Sequence, residues 1–300
     1  MVTYQTKTDQ KQQNEKEMEL ELKKEIKQIA GWATDTVSIN YVNKSKDQDI
    51  IRPHTIILFV PGNPGCVGWY TKPLLYPMIK KLGIGYAAYG ISYAGHGIGD
   101  NTHVEKLHKN DIYPKSFINS KQRILHTIQG QIEHKIQWID SILYQYDNNT
   151  NNKQQDQQSS YPNIIFITHS IGAYLVQCLL LQRRDILIQT RKIIHFMPFF
   201  RFKPDNYIKE QLPLDTVAKL NKRSVDLLAF ISYLISFIPK DILMFGIHRL
   251  LNIYENDAKE LAYNIIRQPE FARNFLSLGI NEILLVPKEF DVSNIFSFDK

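Results

Sequence analysis

The fold of this chain is predicted best from one stretch, Ile164-Ile165-Phe166-Ile167-Thr168-His169-Ser170-Ile171-Gly172-Ala173-Tyr174-Leu175-Val176. A β-branched and aromatic run comes first, a small polar turn follows, and an apolar helical pattern continues through residues 179–181. This order predicts a buried strand, a sharp turn and a helix. Ser170 lies in the turn.

The turn is close to the G-x-S-x-G pattern, in which a serine sits on a strained corner at the end of a central strand. The residues two positions before and after the serine must be small, because strand and helix approach each other closely there. Gly172 meets this requirement, whereas Thr168 stands where the pattern has glycine. Ser170 is the candidate nucleophile. The alternative is an ordinary strand-to-helix turn in which the serine caps the helix.

A second strand and loop supply the candidate oxyanion site. The continuous apolar run at 54–60 is typical of a strand buried on both faces of a parallel sheet, and the glycine-containing loop 61–65 follows it. In hydrolases with a serine elbow, the loop after this strand and the residue after the nucleophile each donate a backbone N–H to the oxyanion. The candidate donors are the amide near Asn63 and the amide of Ile171. The alternative is a plain turn.

Composition limits the classes of protein. Three hundred residues, 43% hydrophobic and 22% charged, fit one large α/β domain or two small ones. The net charge of +6 is compatible with an anionic lipid surface, and without a clustered basic and aromatic patch it does not indicate nucleic acid. Two cysteines, Cys66 and Cys178, are too few for a disulfide framework and fit a reducing compartment. We expect no cofactor and no metal.

The domain prediction is one α/β domain over 31–300, preceded by a polar, disordered lead-in at 1–30. The residues 32–42 alternate as an edge strand does. An Asn/Gln-rich segment at 147–160 is predicted to be a solvated loop. A helical cap is predicted over 205–275.

Within this cap, residues 225–251 form two apolar arms separated by Pro239-Lys240-Asp241. Each arm is shorter than the roughly 20 residues that a spanning helix needs. We therefore predict a helical hairpin that lies in one leaflet of a membrane. The alternative is a pair of cap helices packed on the core.

Four stretches resemble the lipid droplet-associated hydrolases, a family with the α/β-hydrolase fold. They occur in the family's order: Val60–Gly65 followed by Tyr70, Ile91–His96, Gly130–Lys135 and His169–Tyr174. The resemblance implies a mostly parallel sheet with helices on both faces. It implies a serine hydrolase of carboxylic esters of neutral lipids, sterol or acylglycerol esters, with a role in lipid storage. It also implies residence on lipid droplets and the cytosolic face of the endoplasmic reticulum, with Ser170 as the nucleophile.

The rest of a catalytic triad is not found in the sequence. In this fold an acid and then a histidine follow the serine in chain order. After Ser170 the only histidines are His195, in an apolar strand, and His248, in the apolar hairpin. Asp291 and Asp299 are followed by no histidine. The strands that carry the family's acid and histidine have no match, so the C-terminal strands of the fold are expected to be missing.

Two function hypotheses remain from the sequence. In the first, the chain is an active ester hydrolase with an unassigned base, for which His96 is the least poor candidate. In the second, it is an inactive scaffold or regulatory protein bound to lipid droplets or endoplasmic reticulum through residues 225–251. For His96 and His134 we expect structural hydrogen bonding near the site.

Overall fold

The structure is a computed structural model, and it describes residues 18–44, 50–97, 127–148, 161–199, 222–251 and 256–285. Several predictions lie outside these residues. They concern the first part of the lead-in (1–17), most of the Asn/Gln-rich loop (149–160), the first part of the cap (205–221), and Asp291 and Asp299.

The described residues contain one six-stranded, mostly parallel sheet, as predicted. Its strands are β1 Met18–Ile29, β2 Trp32–Asn43, β3 Thr55–Val60, β4 Tyr86–Ile91, β5 Asn163–His169 and β6 Thr190–Phe196. The strand order is β1-β2-β4-β3-β5-β6. The pairs β1–β2 and β2–β4 are antiparallel, and β4, β3, β5 and β6 run parallel. In the described part of the chain no strand follows β6.

The helices were assigned as follows: α1 Gly68–Tyr70, a π-helical turn Thr71–Leu75, α2 Tyr76–Leu82, α3 Ile128–Asn148, α4 Ile171–Gln182, α5 Arg184–Gln189, α6 Lys222–Ile235, α7 Lys240–Leu251, α8 Asn256–Ile266 and α9 Pro269–Leu285. Helix α3 continues to Asn148, so the first two residues of the predicted 147–160 loop are helical.

Side chains alternate across β3 and bury both faces of the sheet. Ile56 and Leu58 pack in a core cluster that includes residues of α3 and α4. Ile57 and Phe59 point to the other side, into a cluster that includes Leu75 from the π-helical turn. Every residue of β3 is buried. The prediction of helices on both faces of a parallel sheet is therefore confirmed.

The prediction of a disordered lead-in at 1–30 is wrong for Met18–Ile29, which form β1. This strand pairs with β2 along its whole length. The connection is a two-residue hairpin turn in which Ala30 has φ 52° and Gly31 has φ 80°, as a type I′ turn requires. Glutamate and lysine side chains within β1 form ion pairs with each other. For example, Lys23 Nζ lies 3.1 Å from Glu21 Oε2. Because β1 covers β2, residues 32–42 are not an edge strand.

The predicted apolar hairpin 225–251 consists of two helices that pack mainly against different partners. Helix α6 packs against α9, and α7 packs against α8. The linker between them is bound to the turn after α8, since the side chain of Arg267 donates to the carbonyl of Ser236 at 2.8 Å. Among the helices in the described ranges, none is both long enough and apolar enough to cross a membrane.

Candidate active site

Ser170 occupies a strained corner between β5 and α4. Its backbone has φ 49° and ψ −125°, a conformation that is uncommon for a residue with a side chain. The corner is fixed to the end of β6 and beyond: Ser170 N donates to Phe196 O at 3.1 Å, and Phe199 N donates to Ser170 O at 3.0 Å. The Ser170 side chain makes no capping hydrogen bond to α4. The alternative of a helix-capping serine is therefore wrong.

Two glycines allow the loop after β3 to reach this corner. A Cβ atom on Gly172 would lie 2.6 Å from Val60 O and closer still to Pro61 O. A Cβ atom on Gly62 would lie 2.6 Å from His169 Nδ1 and 2.8 Å from Ser170 Cβ. Such contacts are far inside the van der Waals distance, so larger residues would push the loop and the corner apart.

Thr168 replaces the first glycine of the G-x-S-x-G pattern without opening a gap. It is completely buried, and its hydroxyl is hydrogen-bonded to His195 Nδ1 at 2.6 Å. His195 Nε2 lies 3.0 Å from Gln177 Nε2 on α4. Burial lowers the pKa of His195 below its ordinary value, which favours the neutral ring. His195 thus joins β5, β6 and α4.

The two predicted oxyanion donors lie on segments that the structure brings together. Ile171 is the first residue of α4, where backbone N–H groups have no acceptor within the helix. Asn63 directly follows Gly62, the residue that contacts Ser170. The Asn63 side chain donates to Phe275 O on α9 at 3.2 Å. The candidate oxyanion loop is therefore tied to the cap as well as to the sheet.

The loop 61–65 is also held by the loop that follows β4. The Tyr93 hydroxyl donates to Pro61 O at 2.6 Å, and Tyr93 N donates to Gly65 O at 2.7 Å. Gly65 N donates to His96 Nδ1 at 3.0 Å. His96, which is fully buried, therefore uses one ring nitrogen as an acceptor for the loop. This agrees with the structural role expected for it.

His134 also has structural hydrogen bonds, as expected. Its Nε2 lies 2.9 Å from Thr34 Oγ1, and its Nδ1 lies 3.2 Å from Lys135 Nζ. Burial, and secondarily the positive charge of Lys135, lowers the pKa of His134 well below its ordinary value. A neutral imidazole in this position connects Thr34 and Lys135 through hydrogen bonds.

Sequence reasoning missed one histidine beside the serine. His169 Nδ1 lies 2.9 Å from the hydroxyl of Tyr70, and the two ring centroids are 5.8 Å apart. Burial lowers the pKa of His169 and raises that of Tyr70. The available signal was the presence of both residues in the family motifs, which place Tyr70 after the glycine loop and His169 before Ser170.

Glu282 on α9 is a second residue that the sequence did not single out. Its Oε1 and the Oδ1 of Asn63 are both buried, and neither has a hydrogen-bond partner in the described ranges. Burial raises the pKa of Glu282 to about 8, an effect that the Asn63 side chain partly opposes. At neutral pH this carboxyl group is therefore mostly protonated.

In the residues that the structure describes, no group of three or more His, Cys, Asp or Glu is arranged to hold a metal ion. The thiol of Cys66 is buried, which raises its pKa to about 12. Such a thiol is a poor nucleophile at neutral pH.

A serine on a corner between a central parallel strand and the following helix is the arrangement of the α/β-hydrolases, and the chain has this fold. A family model described as lipid-droplet associated hydrolase matches residues 53–297. The chain belongs to the lipid-droplet associated hydrolase family.

Individual relatives are distant. The chain is 24% identical over 198 residues to the lipid droplet-associated hydrolase of Gallus gallus. The aligned region covers 66% of this chain and 52% of that protein. The chain is 26% identical over 132 residues to the lipid droplet-associated hydrolase of Homo sapiens. This aligned region covers 43% of this chain and 33% of that protein. The chain therefore matches about half the length of these relatives or less.

Among solved structures, the haloalkane dehalogenase DatA from Agrobacterium tumefaciens C58 is similar with a TM-score of 0.49 and 11% identity, covering 92% of this chain and 72% of that one.

Proposed function

We propose that the protein is a serine hydrolase of carboxylic esters of neutral lipids, sterol or acylglycerol esters, with Ser170 as the nucleophile and a role in lipid storage. The observation that carries this proposal is the strained corner at Ser170, which Gly62 and Gly172 bring against the loop after β3. A serine that serves only as a connector has no need of a backbone conformation that costs about 1–3 kcal/mol.

In the proposed reaction, the serine corner supplies the nucleophile and the loop after β3 supplies an oxyanion donor. Ser170 Oγ attacks the acyl carbon while its proton passes to a base, and the carbonyl oxygen becomes an oxyanion. The amides near Asn63 and of Ile171 stabilise that charge. The alcohol leaves with a proton, and water then hydrolyses the acyl-enzyme, which releases the fatty acid and restores the serine.

The lipid surface is proposed to be the outer face of α6, α7 and their linker. Val225 and Ala229 of α6 are buried, whereas the outward residues of this segment are apolar and exposed. The exposed residues are Leu227, Leu228, Phe230, Ile231, Tyr233, Leu234, Phe237, Ile238, Ile242 and Phe245. Exposed apolar side chains in this number are unfavourable in water, and they support a binding surface here. A lipid monolayer suits it because helices that lie flat bury one apolar face.

We infer residence on lipid droplets and on the cytosolic face of the endoplasmic reticulum, from which such droplets grow. The names of the curated relatives support droplet association.

The second candidate function is an inactive lipid-bound scaffold or regulatory protein of the same fold. The observation that favours it concerns two histidines near the corner, which are hydrogen-bonded to other side chains: His195 to Thr168 and His169 to Tyr70.

Hydrolysis of a soluble p-nitrophenyl ester by the purified chain, compared with Ser170→Ala, tests the two functions against each other. Turnover that the substitution abolishes supports the enzyme. Absence of turnover in the folded wild type supports the scaffold.

A further inference from the structure

One face of α3 carries three fully buried polar side chains, Gln131, His134 and Lys135. Burying an ammonium group is costly unless its donors are satisfied. Lys135 Nζ donates to Gln131 Oε1 at 2.8 Å and to His134 Nδ1 at 3.2 Å. It also lies 4.1 Å from the centroid of the Tyr93 ring. Lys135 Nζ is therefore surrounded by two uncharged hydrogen-bond acceptors and the face of an aromatic ring.

The hydrogen-bond directions in this cluster can be assigned from chemistry. The Thr34 hydroxyl has one proton and donates it to Trp32 O, so it accepts from His134 Nε2, and His134 Nδ1 accepts from Lys135 Nζ. Nε2 then donates to Thr34 Oγ1 at 2.9 Å, and the Thr34 hydroxyl donates to Trp32 O at 3.1 Å. Burial lowers the pKa of Lys135 well below its ordinary value.

The cluster is hydrogen-bonded to the backbone of the loop that follows β4. Gln131 Oε1 accepts from Ala94 N at 3.1 Å, and Gln131 Nε2 donates to Ala94 O at 3.2 Å. Tyr93 lies against both Lys135 and Gly65. A Cβ atom on Gly65 would lie 2.5 Å from Tyr93 Cβ. Two neighbours therefore hold the position of this residue.

The same tyrosine reaches the candidate oxyanion loop, because its hydroxyl donates to Pro61 O and its amide to Gly65 O. Next along the chain, Val67 N donates to Ser92 Oγ at 3.1 Å. Displacement of the Tyr93 ring would therefore move the segment 61–67 relative to Ser170.

We propose that Lys135 is a positioning residue that, by holding the Tyr93 ring, fixes the loop 61–65 at its distance from Ser170. Its effect on reactivity rests on the proposed function, in which this loop donates to the oxyanion. Its effect on the loop itself does not.

Amide hydrogen exchange of the full chain, measured by mass spectrometry, tests the effect on the loop. In Lys135→Met the amides of 61–67 are expected to exchange at least about tenfold faster, whereas those of 163–182 keep the wild-type rate. Lys81→Met, at an exposed lysine of α2, is the matched control and should leave both segments unchanged. Unchanged exchange in 61–67, or an equal increase in both segments, would overturn the proposal.

Tyr93→Phe keeps the ring beneath Lys135 and removes only the hydroxyl that bonds Pro61 O. It should reproduce the faster exchange of 61–67 even if Lys135→Met fails to fold. Wild-type exchange in a folded Tyr93→Phe would contradict the proposed route through this hydroxyl.

The rate constant for labelling of Ser170 by a fluorophosphonate separates the two proposals. We expect it to fall about tenfold or more in both variants. If the wild-type chain is not labelled, the proposed function fails, while the exchange data still decide the role of Lys135.

Discussion

Gly172 and Pro61 lie so close together that a Cβ atom added to Gly172 would overlap the carbonyl oxygen of Pro61. This contact joins the first turn of α4 to the loop after β3, and the serine corner depends on it. Gly172→Ala should therefore destabilise the fold by about 2 kcal/mol or more, as overpacking against an immobile backbone does. Urea unfolding measures the change.

Gly246→Ala is the control for this substitution, because a Cβ atom at Gly246 in α7 would meet nothing within 4 Å. It should be neutral or stabilising by up to about 1 kcal/mol, since alanine favours helix. Equal stability of Gly172→Ala and wild type would contradict the close approach at the serine corner.

The stability of the protein should depend on pH through Glu282. Burial raises the pKa of this carboxyl from 4.5 to about 8, so between these values the folded state holds a proton that the unfolded state has lost. The free energy of unfolding should therefore fall as pH rises from about 4.5 to about 8, and then level off. The effect is a few kcal/mol at most, at about 1.4 kcal/mol per pKa unit.

Glu282→Gln keeps the shape of the side chain and cannot ionise. Its unfolding free energy should match that of wild type near pH 4 and exceed it near pH 8.5. Glu133→Gln, at an exposed glutamate of α3, controls for the loss of one surface charge. Parallel pH profiles for wild type and Glu282→Gln would show that the carboxyl is not desolvated as described.

Lipid binding should depend on the exposed face of α6 and the linker. Phe230 is 53% exposed and Phe237 68% exposed. Burial of a phenylalanine contributes about 1.5–3 kcal/mol, so Phe230→Asp with Phe237→Asp should weaken binding to phospholipid-coated triolein droplets by at least about a hundredfold. Flotation of the protein with such droplets measures the loss.

Ile188→Asp is the matched control, because Ile188 is 73% exposed and lies on α5, outside α6, α7 and their linker. It should float with the droplets as the wild type does. Flotation of the double phenylalanine variant at the wild-type level would exclude this face as the lipid-binding surface.

His195 should prove dispensable for the reactivity of Ser170. Its ring nitrogens lie within hydrogen-bond distance of Thr168 and Gln177, and its role is to join strand and helix. His195→Gln should lower stability by about 1–3 kcal/mol, the cost of disturbing buried hydrogen bonds. Ester turnover at saturating substrate should remain within about threefold of wild type. A loss of a thousandfold, typical of a missing general base, would identify His195 as that base.

The local parts of the fold were predictable from the sequence. The strand β5, the corner at Ser170 and the helix α4 follow one another within twenty residues, and their apolar pattern is continuous. The buried strand β3 has the same kind of signal. Strand β1 was missed because its lysines and glutamates conceal an alternation that becomes apparent only when the full-length pairing with β2 is seen.

Most of the site contacts could not be predicted because they join residues far apart in the sequence. The hydrogen bond between Tyr70 and His169 joins residues 99 positions apart. The hydrogen bond between Asn63 and Phe275 joins residues 212 positions apart. The burial of Lys135 was not predictable, because lysine side chains are almost never fully buried. It becomes intelligible only when the Tyr93 ring and two uncharged acceptors are placed around the ammonium.

The proposed function requires Ser170 to be an activated nucleophile, and labelling by a fluorophosphonate probe measures this reactivity. We expect the purified wild-type chain to be labelled at Ser170 and the Ser170→Ala variant to remain unlabelled. Absence of labelling in a wild-type chain whose cooperative unfolding shows that it is folded would contradict the proposed role of Ser170.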